Sequence, residues 1–504
     1  MDESQGSIES RIQAAIAAAA RGGEPSRLGN KLPVRRRLDL LLDPGSLVED
    51  GLLANSVEPG YEADGVVTGT ATIGGRPIAI IAHDPAVKAG SWGLRTVEKQ
   101  VRILELADAD RLPVFYLVDS AGGRLTDQLG FFAGRRGAAR IFHLQVRLSG
   151  RVPQLCVLFG PAAAGGAYMP AFCDWIGMVD GNASMSLASS RVVKVVVGED
   201  VSLEEMGGAR MHTTVSGTGD QLFRDEETAI TALQRLFDYL PQSYLDRPAP
   251  VAGAGPAESD WADLIPENPR TAYDVRTVID RLVDRSSFFE VKARWAAEIV
   301  VGLGRMDGRV VGLVANQPRV KGGAIFVDSA DKAARFISWC DAFNIPLVFL
   351  TDVPGFMVGS AVERQGIIRH GAKLIMAMAS AQVPRLCVVL RKAYAAGYYA
   401  MSSPGFEPRA TIALPSAQIG AMSAEAAVRA VFARKIDGID DPDDRARYLE
   451  DRHREYSRDL DLLRLASDLY VDAVVPGELL RQDLIRRLDA ASGWQRGPRS
   501  RHNT

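Results

Sequence analysis

Cysteine is scarce in this 504-residue chain, and its four cysteines are never spaced as CxxC pairs. A zinc ribbon needs such pairs, so the spacing argues against one. Cys156 and Cys387 lie in apolar runs of strand type, which predicts buried thiols in the core. So few cysteines provide no disulfide framework, which fits a reducing compartment.

Long hydrophobic runs and a strong net charge are also missing. No stretch approaches the roughly 20 apolar residues that a membrane helix requires. The start, Met1-Asp2-Glu3, is acidic and unlike a secretion signal. The net charge is −3 and the basic residues are scattered without interleaved aromatics, so neither nucleic acid nor membrane is an expected partner. We therefore expect a soluble cytoplasmic protein.

The common nucleophile, nucleotide and metal motifs are absent as well. The chain has no GxSxG elbow and no GKS or GKT that would complete a phosphate loop. Gly302-Leu303-Gly304 fails as a dinucleotide fingerprint because Asp307 holds the place of its third glycine. The six histidines show no HExxH or other ligand spacing, so no bound metal is predicted.

The chain does contain a long internal repeat. Residues of the first half recur in the same order in the second half. The offset is 233 positions for Gly75 and Gly308, Lys88 and Lys321, Pro113 and Pro346, and Asp119 and Asp352, and it is 231 positions for Cys156 and Cys387 and for Gly166 and Gly397. A repeat this long is not a solenoid unit. It predicts one domain duplicated, with two related sites.

Each half shows the same order of predicted elements. A strand–turn–strand hairpin comes first, at residues 66–82 and 299–315, and its Asp307-Gly308 turn is a strong hairpin signal. Helical stretches then alternate with apolar strands that follow a proline. Apolar strands bounded by helices indicate a parallel sheet buried on both faces, so the predicted fold class is α/β.

Domain boundaries follow from the repeat and from composition. We predict an N-terminal helix and linker at residues 1–32 and a first domain at 33–245. A linker rich in Pro, Ala and Gly covers 246–265, the second domain covers 266–490, and 491–504 form a polar tail.

Two matched loops are the strongest candidates for chemistry. Gly160–Tyr168 follows one buried strand, and Arg391–Tyr399 follows its repeat. Ligands bind at strand ends in parallel α/β folds, and small residues there let backbone N–H groups approach them. Residues 160–169 contain no Ser, Cys, His, Asp or Glu, which excludes a nucleophile or base in the first loop. The pattern predicts oxyanion stabilisation by the backbone, with tight strand–helix packing as the alternative.

Turns after the preceding strands lie at the same predicted rim. Gly122-Gly123 in the first half corresponds to Gly355-Phe356 in the second. Arg124 is a candidate phosphate ligand or a solvated surface arginine. Lys88 and Lys321 keep identical spacing in the two halves, either as surface lysines or as site residues.

Several segments together resemble the carboxyltransferase (beta) subunits of biotin-dependent acyl-CoA carboxylases, which include the propionyl-, methylcrotonyl- and acetyl-CoA carboxylases. The resemblance runs from about residue 30 to about 490. Its motifs are residues 38–46, Gly160–Pro170, 198–201, 207–209, Asp352–Phe356, Gly366–Lys373 and 391–394.

This resemblance implies two tandem crotonase-like domains and an acyl-CoA carboxyltransferase that usually forms a hexamer, a trimer of dimers. The first domain would hold the acyl-CoA, and the second domain of a partner subunit would hold carboxybiotin. The chain has no Met-Lys-Met biotin attachment motif and no ATP-binding module. A separate alpha subunit is therefore expected to supply the biotin carboxylase and the biotin carrier.

Site residues follow from the same resemblance, position by position. Gly165 and Gly166 would donate N–H groups to the thioester oxygen, and Ala396 and Gly397 to the ureido oxygen of biotin. The substrate-binding positions implied around them are Gly122, Gly123, Ala164, Ala167, Tyr168, Gly355, Phe356, Tyr398 and Tyr399.

Some positions depart from the family pattern. Tyr399 stands where propionyl-CoA carboxylases carry an aspartate that bears on acyl choice, and Ala395-Ala396 stands where many relatives have Gly-Gly. The acyl group is therefore left open. So are two other functions: a biotin-dependent acyl-CoA decarboxylase subunit, and a non-catalytic scaffold in a mixed complex. A serine peptidase of related fold is disfavoured because the first loop has no serine.

Overall fold

The computed structural model describes residues 7–59, 61, 63–257, 260–261 and 264–496. The chain divides into two compact units, Met1–Pro248 and Ala249–Thr504. The division falls within the predicted 246–265 linker, of which residues 258, 259, 262 and 263 lie outside the described residues. Residues 1–6 of the predicted N-terminal helix and 497–504 of the predicted tail lie outside them too.

The first unit is built on an eight-stranded sheet in the order β1-β2-β3-β4-β5-β6-β8, with β7 beside β5. Its strands are β1 (Val48–Asp50), β2 (Val66–Ile73), β3 (Arg76–His83), β4 (Val114–Ser120), β5 (Gln154–Ala163), β6 (Trp175–Val179), β7 (Ser184–Ser186) and β8 (Gln221–Phe223). The pairs β1–β2 and β2–β3 are antiparallel, and β3 through β8 pair in parallel.

Helices connect these strands and cover the sheet. They are α1 (Ile8–Arg21), α2 (Val34–Leu41), α3 (Leu94–Asp110), α4 (Gln128–Phe131), α5 (Ala138–Leu148), α6 (Tyr168–Ala171), α7 (Ser190–Val197), α8 (Leu203–Gly207), α9 (Ala209–Thr214) and α10 (Glu226–Phe237). Every residue of β4 is buried, because parallel strands in such a sheet are covered on both faces.

The second unit repeats this arrangement in the order β16-β14-β13-β12-β11-β10-β9, with β15 beside β13. Its strands are β9 (Phe289–Val291), β10 (Ile299–Met306), β11 (Arg309–Asn316), β12 (Leu347–Val353), β13 (Arg385–Tyr394), β14 (Ala410–Ala413), β15 (Gln418–Gly420) and β16 (Ala473–Val474). Its helices are α11 (Val275–Leu282), α12 (Val327–Ala342), α13 (Ser360–Arg364), α14 (Ile367–Ser380), α15 (Ala395–Ala400), α16 (Ala424–Asp437), α17 (Pro442–Asp459), α18 (Leu462–Ser467) and α19 (Gly477–Ala490).

The hairpin turn of each unit is held by a carboxylate from an earlier segment. Asp43 accepts the N–H groups of Gly74 and Gly75 at 2.9 and 2.8 Å. Asp284 accepts those of the matched pair, Asp307-Gly308, at 3.0 and 2.8 Å. The two units therefore repeat side-chain contacts as well as strand order.

Two further features of the described residues bear on the sequence expectations. All four cysteines are buried, which confirms the prediction of core thiols at Cys156 and Cys387. In the described part of the chain no helix combines the length and apolar character needed to cross a membrane.

Candidate active site

The two candidate loops begin later than the sequence indicated. Residues 160–163 continue β5, because Pro161 to Ala163 pair in parallel with β7. Residues 391–394 continue β13 in the same way, beside β15. The short β7 and β15 strands extend the ladder there, and they come from later segments that local patterning cannot locate. The turn proper starts at Ala164 in one unit and Ala395 in the other.

The backbone of the first loop changes direction at one strained residue. Ala164 has a φ of 52°, a left-handed conformation that costs an alanine roughly 1 kcal/mol. A short 3-10 turn, Ala164–Ala167, and then α6 follow directly. The first N–H groups of a helical turn have no partner within it. Gly165 and Gly166 are the second and third residues of this turn, at its amino end, where backbone donors to a ligand are found.

Neither glycine of the first loop is required by crowding at its Cβ position. A Cβ added at Gly165 would lie 3.9 Å from Phe142 Cζ, and one at Gly166 would lie 3.9 Å from Trp92 Cζ2. These are ordinary contacts, and neither glycine has a positive φ. Folding therefore does not require glycine here, whereas close approach of a ligand to the backbone would favour it.

The Gly122-Gly123 turn adjoins the first loop, as the sequence predicted. Gly122 has a φ of 90°, and a Cβ there would lie 3.0 Å from the Ala163 carbonyl oxygen. At Gly123 a Cβ would meet the Phe131 ring at 2.4 Å. Both glycines are thus required by a turn that is pressed against the end of β5. Of the other implied positions, Ala167 is buried and the Tyr168 side chain is 46% exposed.

Trp92 and His83 lie behind the first loop and were missed from the sequence. The Trp92 Nε1–H group donates to His83 Nε2 at 3.0 Å. Burial lowers the pKa of His83 to about 4, so its ring is neutral and able to accept this bond. The Trp92 main chain is bonded to the Gly122 turn, from Trp92 N–H to the Gly122 carbonyl at 2.8 Å. In the sequence, the only indication of this pair was the tryptophan itself, which follows the Lys88 turn.

Arg124 is neither a solvated surface residue nor free to bind a phosphate. Its side chain is 10% exposed. Its guanidinium donates to Ser91 Oγ at 3.1 Å, to the Ser91 carbonyl at 2.8 Å and to Thr96 Oγ1 at 3.2 Å. Arg124 therefore ties the turn after β4 to the start of α3.

The second loop repeats the backbone path with different packing. Ala395 has a φ of 51°, matching Ala164, and begins α15. Ala396 is exposed, whereas Gly397 is buried. A Cβ at Gly397 would lie 2.7 Å from Gly355 Cα and 2.9 Å from Val353 Cγ2. Glycine at 397 is therefore required by the fold, in contrast to its counterpart Gly166.

This contrast predicts unequal effects of the same substitution on stability. We expect Gly166→Ala to change the free energy of unfolding by less than about 0.5 kcal/mol. Gly397→Ala should lower it by about 1–3 kcal/mol, because the methyl group has no room without a backbone shift. Denaturant unfolding of both variants tests the difference. Equal losses would contradict the distinction.

The aromatic residues near the second loop differ in their surroundings and in their exposure to solvent. Tyr398 belongs to a buried cluster with Cys387 and Ala413, and burial raises the pKa of its hydroxyl. Phe356 packs against α14, where a Cβ added at Gly371 would lie 3.0 Å from its ring. Of these positions, Tyr399 is the one that presents a ring to solvent, with 53% of it exposed.

A cavity of about 820 Å³ lies beside the second loop. Tyr394, the last residue of β13, lines it, and its hydroxyl donates to Gln418 Oε1 at 2.7 Å. Basic side chains in the lining are Arg270, Arg391, Lys392 and His453, together with the acidic Glu425. Arg391 and Lys392 lie near the carboxyl end of β13, where ligands of parallel α/β folds bind.

A buried aspartate lies under each loop and is neutralised differently in each unit. In the second unit Arg391 Nε donates to Asp352 Oδ2 at 2.8 Å, and both side chains are at most 1% exposed. In the first unit the residue matching Arg391 is Gly160, where a Cβ would lie 2.0 Å from Asp119 Oδ1. No side chain fits there, so Lys31 and Arg37 pair with Asp119 instead, at 2.9 and 3.2 Å.

Among the residues that the structure describes, no group of three or more His, Cys, Asp or Glu side chains could hold a metal ion. The arrangement offers backbone N–H groups at two matched loops, with cationic side chains near the second. Such donors stabilise an oxyanion, and this chemistry needs no side-chain nucleophile.

Comparison with known proteins identifies the family. A model of the carboxyl transferase domain matches residues 26–503. The chain belongs to this family. YngE, an uncharacterised carboxylase of Bacillus subtilis, is 53% identical over 93% of this chain and 92% of its own length. The propionyl-CoA carboxylase beta chain of Saccharopolyspora erythraea is 37% identical over 94% of this chain and 90% of its own.

A crystal structure of transcarboxylase 12S has the same fold. It superposes with a TM-score of 0.92 at 35% identity and covers 99% of this chain and 98% of its own. That protein is a hexamer, with methylmalonyl-coenzyme A and methylmalonic acid bound. The predictions of the carboxyltransferase family and of two tandem crotonase-like domains are confirmed.

Proposed function

We propose that this chain is the carboxyltransferase component of a biotin-dependent acyl-CoA carboxylase. It would transfer a carboxyl group from carboxybiotin, carried by an alpha subunit, to the enolate of an acyl-CoA. The observation that carries this proposal is the Gly165-Gly166 turn, which opens a helical segment at the end of β5 with two glycines that packing does not require. Likeness to propionyl-CoA carboxylase beta chains supports it.

The first unit would bind the acyl thioester. The N–H groups of Gly165 and Gly166 would donate to the thioester oxygen, which gains negative charge as the enolate forms. One such donor is typically worth about 3–4 kcal/mol of transition-state stabilisation. Residues 160–169 contain no side chain that could act as a base, so this loop would not itself remove the proton from the acyl group.

The second unit would bind the biotin of the partner. Bound carboxybiotin supplies the carboxyl group. The N–H groups of Ala396 and Gly397 would stabilise negative charge on the ureido oxygen. Lys392 lines the adjacent cavity and shares the Asp352 carboxylate with Arg391, so the three groups together would leave one positive charge near the transferred carboxylate. We also propose that the chain assembles as a hexamer, because the similar transcarboxylase 12S is one.

Reconstitution tests the proposal directly. The purified chain with acyl-CoA, ATP and bicarbonate should form no carboxylated product. Activity should appear when a biotinylated carrier and a biotin carboxylase are added, because the chain itself has no biotin attachment motif. Acetyl-, propionyl-, methylcrotonyl- and long-chain acyl-CoA would be compared by incorporation of labelled bicarbonate.

Two outcomes would contradict the proposal. ATP-dependent carboxylation by the chain alone would show that it carries the missing activities. Absence of acyl-CoA binding in calorimetric titrations would favour the non-catalytic scaffold. A decarboxylase would instead release labelled CO₂ from a carboxylated acyl-CoA and would pair with a membrane ion-pumping subunit.

A further inference from the structure

The repeated lysines Lys88 and Lys321 are in matched turns but have different electrostatic surroundings. Each has a left-handed backbone, with φ of 48° and 49°, and each opens a short 3-10 turn, Lys88–Gly90 or Lys321–Gly323. Left-handed residues other than glycine are rare and tend to occur at functional sites. The same rigid turn therefore presents a lysine at the rim of each sheet.

In the second unit this lysine is neutralised. Lys321 Nζ lies 3.6 Å from Glu298, whose side chain is only 3% exposed, and 4.1 Å from the centre of the Phe326 ring. Glu298 directly precedes β10. A buried carboxylate this close fixes the position of the ammonium and offsets its charge.

In the first unit the corresponding carboxylate is absent from the sequence. Gly65 precedes β2 where Glu298 precedes β10, and a Cβ at Gly65 would lie 3.0 Å from the Val87 carbonyl, beside the Lys88 turn. Within the described residues no ion pair involves Lys88, and its ammonium lies 4.9 Å from the centre of the Tyr61 ring. Lys88 is exposed.

The position of Lys88 relates it to the first loop. Its turn is bonded to the turn after β4, from Ala121 N–H to the Ala89 carbonyl at 3.0 Å. The strands β3, β4 and β5 are parallel neighbours, so their carboxyl ends share one rim. Neighbouring strands lie about 4.8 Å apart, so the ends of β3 and β5, which flank β4, lie about 10 Å apart. The pantetheine arm of CoA is long enough to cross this separation.

We propose that Lys88 binds a phosphate group of the CoA moiety when the acyl thioester lies at the first loop. This inference rests on the proposed function, and it assigns the phosphate-bearing end of the substrate to the rim of the first unit. The second unit is proposed to receive biotin, which carries no phosphate, so it needs no phosphate-binding cation at this turn. Both units thus have the lysine, and among the described residues a buried carboxylate lies beside it in the second unit.

Acyl-CoA kinetics of the reconstituted enzyme test the assignment. Lys88→Gln should raise the KM for acyl-CoA about 10-fold and leave kcat within about 2-fold, since one charge-assisted bond remote from the reacting atoms is lost. Lys88→Glu should raise the KM further. Lys321→Gln is the matched control and should leave the KM for acyl-CoA unchanged.

Truncated substrates separate phosphate binding from a structural role of the turn. With an acyl-pantetheine, which has no phosphate, the parent chain and Lys88→Gln should have the same KM. An acyl-dephospho-CoA, which lacks the 3′-phosphate, identifies the phosphate that Lys88 binds. If the KM difference between the parent chain and Lys88→Gln disappears with this substrate, Lys88 binds the 3′-phosphate. If the difference persists, Lys88 binds the diphosphate.

An unchanged KM for acyl-CoA in an active Lys88→Gln enzyme would overturn the inference. A KM of Lys88→Gln that stays above that of the parent chain with acyl-pantetheine would also overturn it. Failure of the parent chain itself to carboxylate any acyl-CoA with its partner would instead reject the proposed function.

Discussion

Gly166→Pro is expected to lower kcat for carboxylation by about 10²–10³-fold and to leave the first unit folded. Proline removes the N–H group proposed to stabilise the enolate, and one such donor accounts for a loss of this size. The substitution is tolerable because proline is accepted in the first turn of a helix. An added Cβ at this position meets only Trp92, at 3.9 Å. Steady-state kinetics of the reconstituted enzyme and the thermal midpoint are the two measurements.

Gly166→Ala is the matched control for this experiment. Alanine keeps the N–H group and adds one carbon atom, so kcat should stay within about 10-fold of the parent value. Equal losses in the two variants would show that bulk, and not the missing donor, limits activity. Full activity of Gly166→Pro would show that this N–H group stabilises no reacting oxygen.

Arg391→Met is expected to lower the free energy of unfolding by about 3 kcal/mol. Removing one partner of a buried ion pair typically costs about 3–5 kcal/mol, because the remaining charge is left without compensation. We expect a loss at the lower end of this range because Lys392 Nζ, 3.5 Å from Asp352, still partly compensates the charge of the aspartate. Arg391 Nη1 also donates to three backbone carbonyls, at Pro266, Asn268 and Thr271, and these would lose a donor.

A second substitution identifies the source of that loss. Combining Arg391→Met with Asp352→Asn should recover at least about 1 kcal/mol, because the amide is uncharged. Arg447→Met is the surface control: its pair with Asp444 is 74% and 62% exposed, so a change below about 0.5 kcal/mol is expected. Denaturant unfolding measures all three variants. If the double substitution is as unstable as Arg391→Met, the carbonyl contacts and not the buried charge dominate.

Local sequence patterns predicted the strands and turns well. The Asp307-Gly308 turn and the apolar runs around it give β10 and β11, and the order of elements repeats in both units. These predictions succeed because hairpin turns and buried strands depend on neighbouring residues. The extent of the loops was wrong at residues 160–163, because their pairing with β7 involves residues about 20 positions further along the chain.

Side-chain roles were predicted less well than backbone positions. Arg124 was considered as a phosphate ligand or a surface residue, yet it is bonded to Ser91 and Thr96. Trp92 was not considered, although its ring lies behind Gly166. Both roles depend on contacts across more than one element, which spacing alone does not reveal. The assignment of Gly165 and Gly166 as donors remains a prediction.

The sequence by itself determined that this protein is a duplicated α/β chain of the carboxyl transferase family whose first loop has no nucleophile. A repeat, a motif and an absent residue type can all be read along the chain. Only the tertiary structure decided which glycine has room for a side chain, Gly166, and which is required by packing, Gly397. It also decided that Asp119 pairs with Lys31 and Arg37, whereas Asp352 pairs with Arg391 and Lys392. The physical reason is that space and charge around a residue are set by segments distant in sequence.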